Sequence, residues 1–161
     1  MDKKVIDLIK DTYPKMTEKE KIAFAIAFGA HTGNGQMDYS GLEYINHPLS
    51  VYLGCATEDE KIVALLHDTV EDTKITLEDL SLFFDENIIE ALRVISHPKK
   101  YDKKQYMIDV KNNPLARNVK IQDLKHNMDR SRLESLLEWH DNKVEKQYKH
   151  NLAYLLDKEE I

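Results

Sequence analysis

The stretch Ala64-Leu65-Leu66-His67-Asp68-Thr69-Val70-Glu71-Asp72-Thr73 places four titratable side chains at the end of an apolar segment. If one helix runs through Asp72, then His67 and Glu71 lie four residues apart on one face, and so do Asp68 and Asp72. Titratable groups that emerge from a core cost desolvation free energy unless a cation or a hydrogen-bond network compensates them. The stretch therefore indicates a metal-assisted reaction as the first hypothesis for function.

Helix signals extend over almost the whole chain. Thr17 with Glu20, and Thr57 with Glu60, have the spacing of capping boxes, while Asn113-Pro114 has the pattern of a helix start. The expected helices cover about 5–9, 17–31, a segment from 46, 61–67, 77–84, 87–96, 102–110, a segment from 113, and 133–156. Strand-like alternation is nearly absent, and five glycines with four prolines are few for an all-β fold. We predict an all-α helical bundle with residues 1–161 as a single domain.

Composition narrows the classes of partner. The 161 residues carry a net charge of -6, which argues against broad docking on nucleic acid or an anionic membrane. A compact anionic substrate remains compatible, because a bound divalent metal reverses the local field. The lone Cys55 cannot form an internal disulfide, and the chain shows neither a signal peptide nor a long apolar run. The cytoplasm is therefore the expected location.

Three separated motifs resemble one known superfamily. His47, the pair His67-Asp68 and the distant Asp123 reproduce the H…HD…D pattern of the HD-domain metal-dependent phosphohydrolases. Within that superfamily the chain is most similar to the hydrolase domain of RelA/SpoT-type (p)ppGpp enzymes and their small stand-alone relatives. The matching stretches are Tyr44-Ile45-Asn46-His47-Pro48, Leu65 to Thr73, and Val119-Lys120-Ile121-Gln122-Asp123-Leu124-Lys125-His126-Asn127-Met128. The resemblance covers roughly residues 20–135 and implies the HD-domain helical fold.

The resemblance also implies a metal site and a catalytic pair. Its metal ligands would be His47, His67, Asp68 and Asp123, a set of two imidazoles and two carboxylates that favours Mn²⁺, with Fe²⁺ and Zn²⁺ as alternatives. Such an ion lowers the pKa of a bound water and stabilises charge on a phosphoryl group. The family assigns to Glu71 and Asp72 the orientation or deprotonation of that water.

Each of these residues also has a plain structural interpretation. His47 before Pro48 could cap the following helix, and Asp123 could be a buried carboxylate held by hydrogen bonds. Glu71 and Asp72 could be a solvated helix end. His126 is expected to be a supporting or surface residue rather than a metal ligand, because four ligand positions are already filled.

The expected substrate contacts are Tyr39, Tyr44, Asn127 and Arg130. Asn127 follows Asp123 by four residues on a predicted helix, and Arg130 lies three further on, which makes it the preferred pyrophosphate contact. A surface ion pair with the acidic exterior is the alternative for Arg130. The family's Arg-Lys pair, which packs on guanine, is replaced here by Asp38 and Tyr39. A carboxylate cannot stack or donate as a guanidinium does, whereas Tyr39 could still stack on a base.

The chain is thus expected to be an enzyme, a metal-dependent phosphohydrolase that acts on a phosphorylated nucleotide. The leading substrate is a (p)ppGpp-type alarmone cleaved at its 3′-pyrophosphate. The alternatives are an HD-fold hydrolase for a different nucleotide or phosphate ester, and a catalytically weak nucleotide-binding or regulatory module. The long final helix could close the core or pair with a second subunit, so the oligomeric state stays open.

Overall fold

The computed structural model describes residues 1–38, 40–96, 102–129 and 138–161, with only the backbone of 138–140. Every regular element in these ranges is a helix, and the sole β feature is an isolated antiparallel bridge between Met37 and Glu43. The expectation of an all-α fold is therefore confirmed.

Four helices form the first half of the bundle. They are α1 (Lys3–Thr12), α2 (Glu18–Gly33), α3 (Asn46–Leu53) and α4 (Glu58–Leu66), with a 3-10 turn at Tyr13–Lys15. Capping boxes begin α2 at Thr17 and α4 at Thr57, because each threonine accepts a backbone N–H while the glutamate three residues on closes the box. Both predicted starts are confirmed.

Three short helices follow the region of the HD motif. They are α5 (Thr69–Asp72), α6 (Leu77–Ser81) and α7 (Glu86–Ile95). The condition that one helix runs through Asp72 is wrong, because α4 ends at Leu66 and the chain turns at His67-Asp68 before α5 begins. The amide of Asp72 still donates to the carbonyl of Asp68 at 2.9 Å, so these two residues remain one turn apart.

The second half of the bundle contains α8 (Lys103–Asn112), α9 (Pro114–Asn127), α10 (Glu138–Lys143) and α11 (Lys149–Leu155). Asn113 caps α9 by accepting from the amide of Ala116, and Pro114 occupies its first turn. A π-helical segment, Val144–Tyr148, joins α10 to α11. The predicted final helix is thus observed from residue 138 onward, and its expected start near 133 lies outside the described residues.

The buried side chains divide into two clusters that meet at α9. The first cluster includes α4, in which every residue from Ile62 to Leu66 is buried, together with helices α1 to α3, α6 and α7. The second joins α8, the end of α9 and the C-terminal helices. Each fully buried leucine contributes about 1.5–3 kcal/mol relative to an exposed one. Because Val119 belongs to the first cluster and Leu124 to the second, Asp123 lies where the two cores adjoin.

A polar clamp holds the C-terminal helices against α8 and α9. Arg117 donates from Nε to the carbonyl oxygen of Leu155 at 2.7 Å and pairs with Asp157 at 2.5 Å. Lys111 donates to the carbonyl oxygen of Tyr154 and also pairs with Asp157. In the part of the chain that the structure describes, no helix has both the length and the apolarity needed to cross a membrane.

Candidate metal centre and active-site cavity

Three buried side chains converge from different helices. His47 lies in the first turn of α3, His67 follows the last residue of α4, and Asp123 is in the second half of α9. One ligand atom from each lies within 4.8 Å of the others, and all three residues are at most 4% exposed. This geometry could hold a metal ion, as expected from the chemistry of a His-His-Asp set.

The fourth predicted ligand, Asp68, borders this group. Its Oδ2 atom lies 3.1 Å from Nε2 of His67 and 3.5 Å from Nε2 of His47. Asp68 is more exposed than the other three, with 21% of its side chain accessible, and like them it belongs to the cavity lining.

The tautomer of His67 indicates that a cation fits here. Its Nδ1 atom is 2.8 Å from the carbonyl oxygen of Ala64, an acceptor only, so Nδ1 carries the proton and Nε2 of the neutral ring presents a lone pair. Nε2 is buried and has no hydrogen-bond partner among the described residues. A lone pair 3.1 Å from a carboxylate oxygen is unfavourable unless a positive charge lies between them. The residues present therefore fit a metal cation.

The pKa values of His67 and Asp68 also indicate that a positive charge is favoured at this group. Burial disfavours the charged form of His67, but the Asp68 and Asp123 carboxylates outweigh it and raise the pKa of His67 to about 10. Burial likewise opposes ionisation of Asp68, yet His67 and His47 hold its pKa below the usual value. Both directions show that the carboxylates around His67 favour a positive charge among them, and a metal cation would supply that charge.

His126 contacts His47 on the side away from the carboxylates. The two Nδ1 atoms lie 2.7 Å apart, with the ring centroids at 4.9 Å. Hydrogen bonds from ring nitrogens to neighbouring acceptors commonly fix the tautomer of a metal-binding histidine. The expectation that His126 supports the site agrees with this contact.

Asp123 is held by two neighbours on its own helix. Lys120 donates to Oδ2 at 2.7 Å, and Asn127 donates to Oδ1 at 2.6 Å. Burial alone would raise the pKa of Asp123, but Lys120 and the two histidines hold it well below its ordinary value. The carboxylate is therefore ionised and fixed in orientation.

Tyr44 donates to Oδ2 of Asp68 at 2.5 Å. Burial raises the pKa of Tyr44, and the Asp68 carboxylate raises it further, so the phenol keeps its proton and remains a donor. The structure thus gives Tyr44 a role in orienting Asp68 as well as a place in the cavity wall.

Glu71 and Asp72 lie on α5, one turn beyond Asp68, and both are exposed to the cavity. Asp72 accepts a hydrogen bond at 3.0 Å from Nε2 of Gln36, whose Oε1 lies 2.7 Å from Nδ1 of His31. Gln36 was not singled out by the sequence, because nothing in the spacing of a loop residue shows which helix its side chain meets.

A cavity of about 810 Å³ opens at this group. Its lining contains the carboxylates and also basic residues of α8 and the C-terminal helices. These are Lys103, Lys104, Lys143, Lys146 and His150. Lys103 and Lys104 are both exposed to solvent as well as part of this lining. The sequence pattern attached no role to Lys143 and Lys146, because helical spacing does not reveal that they line the same cavity as Asp123.

Two predicted substrate contacts, Tyr39 and Arg130, lie outside the described residues. Their neighbour Asp38 is described, and its carboxylate is used within the loop. Oδ1 accepts from the amide and hydroxyl of Ser40 and from the amide of Leu42, while Oδ2 accepts from Asn46 at 2.8 Å. Asp38 therefore shapes the loop that precedes α3.

Fold and site together define the class of HD-type metal-dependent phosphohydrolases. No protein-family model matches the chain. The guanosine-3′,5′-bis(diphosphate) 3′-pyrophosphohydrolase MESH1 of Mus musculus is 31% identical in an alignment 126 positions long that covers 70% of each chain. The bifunctional (p)ppGpp synthase/hydrolase SpoT of Escherichia coli is 34% identical in an alignment 90 positions long that covers 52% of this chain and 12% of that much longer protein.

A solved structure of a metazoan ortholog of SpoT, described as hydrolysing ppGpp, has the same fold. Its TM-score is 0.68 at 21% identity, over 87% of this chain and 86% of that one. With the MESH1 match, these findings identify the chain as a member of the MESH1/SpoT family of 3′-pyrophosphohydrolases.

Proposed function

We propose that this protein removes the 3′-diphosphate from a guanosine-3′,5′-bis(diphosphate)-type nucleotide in a metal-dependent reaction. The observation that carries the proposal is that one cavity is lined both by the candidate metal ligands and by lysines. The buried His-His-Asp group and Lys103, Lys104, Lys143 and Lys146 all belong to its lining. A substrate with phosphates at two positions can contact both a metal and these lysines, and the names of the MESH1 and SpoT relatives supply its class.

The metal would be held by His47, His67, Asp68 and Asp123. The lone pair of His67 Nε2 and the 3.1–3.5 Å distances from Asp68 to both imidazoles support this set. Two nitrogens and two carboxylates suit Mn²⁺, with Fe²⁺ and Zn²⁺ as alternatives. When bound, such an ion supplies an acidified water and stabilises charge on the phosphoryl group.

The other residues of the site would position the reactants. Glu71 and Asp72 face the cavity one turn beyond Asp68, where they can orient the attacking water and accept its proton. Lys120 neutralises Asp123, and Tyr44 fixes Asp68. Asn127, Tyr44 and Arg130 are proposed substrate contacts, and Tyr39 is proposed to stack on the base.

Recognition of the base would differ from the family's usual mode. The Asp38 carboxylate accepts three hydrogen bonds from Ser40 and Leu42 of its own loop and one from Asn46 at the start of α3, so it is not available to pair with guanine. Base contact would therefore be stacking, which discriminates weakly between purines. An HD-type reaction on a different nucleotide is the second candidate function, and this loop is the observation that favours it.

The proposal also includes the domain organisation, the partners and the cellular location. Residues 1–161 would act as one domain on a small-molecule nucleotide, with neither nucleic acid nor membrane as partner. The single cysteine supports a cytoplasmic location.

A panel of nucleotides tests the substrate. The protein is incubated with ppGpp, ppApp, a nucleoside 3′-monophosphate and GTP, with Mn²⁺ or with EDTA, and the products are separated by chromatography. We expect Mn²⁺-dependent pyrophosphate release from ppGpp, with ppApp cleaved within about tenfold of the same rate because stacking is sequence-tolerant. Cleavage of only the other nucleotides would replace the alarmone substrate, and no turnover at all would favour a nucleotide-binding module.

A further inference from the structure

A chain of two hydrogen bonds connects the end of α2 to the predicted catalytic pair. His31 lies in the last turn of α2 and is 1% exposed. Its Nδ1 atom is 2.7 Å from Oε1 of Gln36, and Nε2 of Gln36 is 3.0 Å from Oδ2 of Asp72. The connection spans elements far apart in sequence, so it is a tertiary contact rather than a helical neighbour effect.

The chemistry of the three groups fixes the direction of the chain. An ionised carboxylate only accepts, so the Gln36 amide must present its NH₂ group to Asp72 and its oxygen to His31. His31 must then carry its proton on Nδ1. Its Nε2 atom is left with a lone pair, which lies 3.5 Å from the hydroxyl of Thr69, the first residue of α5. Burial lowers the pKa of His31, which keeps the ring neutral as this arrangement requires.

Gln36 is itself held by the backbone. Its amide donates to the carbonyl oxygen of His31 at 3.3 Å, and its own carbonyl accepts from the amide of Tyr44 at 3.0 Å. These two hydrogen bonds fix the backbone of Gln36 from which its side chain extends. Asp72, by contrast, is an exposed residue at the end of a four-residue helix. A short helix end by itself does not restrict the rotamers of an exposed carboxylate.

We propose that His31 and Gln36 are a positioning pair that directs the Asp72 carboxylate into the cavity for the hydrolytic step. The inference rests on the proposed role of Asp72. A neutral amide suits this task because it orients a carboxylate without adding the full positive charge that a lysine or arginine would bring. Displacement of a positioned group by about 1 Å can cost about a hundredfold in rate.

Kinetics of matched variants test the pair. Gln36→Leu and His31→Leu are expected to lower kcat ten- to a hundredfold, with KM and Mn²⁺ affinity within twofold of the parent. His31→Asn, whose amide nitrogen takes the place of Nδ1, is expected to stay within threefold of the parent. Gln105→Leu removes a similar glutamine–aspartate contact, 2.9 Å to Asp109, outside the cavity lining, and should leave kcat unchanged. An unchanged kcat in Gln36→Leu, or a parallel loss of Mn²⁺ affinity, would overturn the proposal.

The tautomer of His31 gives a test that needs no turnover. In ¹⁵N NMR spectra of the protein with diamagnetic Zn²⁺, His31 is expected as the neutral Nδ1–H form, and Asp72→Ala is expected to release that constraint and shift its ring nitrogens. A parent spectrum with Nε2–H, or no change on Asp72→Ala, would show that the chain does not reach Asp72. If no nucleotide is hydrolysed, this spectrum still decides the pairing, so its failure is distinct from that of the proposed function.

Discussion

His47 and His126 face each other through their Nδ1 atoms at 2.7 Å, which joins the first turn of α3 to the last turn of α9. One of the two nitrogens must donate and the other accept. If His47 binds a metal through Nε2, its Nδ1 carries the proton, and His126 is the acceptor that holds it there. The contact therefore couples ligand geometry to the packing of two helices that are distant in sequence.

Replacing His126 tests this coupling. His126→Leu removes the acceptor and is expected to weaken Mn²⁺ binding about ten- to a hundredfold, measured by isothermal titration calorimetry. His126→Asn retains an oxygen acceptor and should keep most of the affinity. Equal affinity in the parent and in His126→Leu would show that the pair does not set the tautomer of His47.

Two alanine variants distinguish the proposed metal ligand Asp68 from the proposed catalytic carboxylate Glu71. Asp68→Ala should lose both metal and turnover, because it removes the charge that lies 3.1 Å from His67 Nε2. Glu71→Ala should keep stoichiometric metal and lose at least about a hundredfold in rate, the scale of general base catalysis. Metal content by mass spectrometry and thermal unfolding of both variants accompany the rates. The assignment fails if the two variants behave alike.

Lys143 and Lys146 of the cavity lining are expected to bind a phosphate group of the substrate. Lys143→Gln and Lys146→Gln should each raise KM for ppGpp by up to about fivefold, the scale of an exposed ion pair, and added salt should reduce the difference. With a guanosine that carries only the 3′-diphosphate, the two variants should have the same KM as the parent. Lys149→Gln is the matched control, since Lys149 lies on the same helical run but pairs with Glu145 and does not line the cavity. An effect of Lys149→Gln as large as the others would indicate a general charge effect.

The Asp38 loop predicts a pH dependence of stability. Burial alone would raise the pKa of Asp38, but hydrogen bonds from Ser40, Asn46 and Leu42 hold it below the ordinary value. A carboxyl whose pKa is lowered by folding stabilises the protein above its unfolded pKa, near 4, and that contribution disappears as the pH falls through the folded pKa.

Asp38→Asn should accordingly lower the free energy of unfolding by about 1–2 kcal/mol at pH 7, with a smaller difference from the parent near pH 3. Urea unfolding at the two pH values measures this. A difference that grows toward pH 3 would contradict the role given to Asp38.

Much of the fold could be predicted from local signals. The capping boxes at Thr17 and Thr57 and the Asn113-Pro114 start depend on contacts within one turn, so their spacing is visible in sequence. The turn at His67-Asp68 was not visible, because no glycine or proline marks it and tertiary contacts determine where α4 ends.

The residues of the candidate site were likewise predictable only in part. The three motifs identified the side chains that converge, since their order matches the family. The partners that hold them come from packing between helices. Gln36 meets Asp72 across a gap of 36 residues, and His126 meets His47 across 79. The positions of Lys143 and Lys146 in the cavity lining likewise depend on how the C-terminal helices pack, which includes the ion pair between Arg117 and Asp157.

The most direct test of the central claim compares pyrophosphate release from ppGpp by the parent and by Asp123→Asn, with Mn²⁺ and with EDTA. Asp123→Asn is nearly isosteric but removes the buried charge between the two histidines. We predict that the parent releases one pyrophosphate per ppGpp only with Mn²⁺, and that the variant retains less than about 1% of that rate while still folded. Undiminished release in EDTA, or by Asp123→Asn, would contradict a metal-dependent reaction at this site.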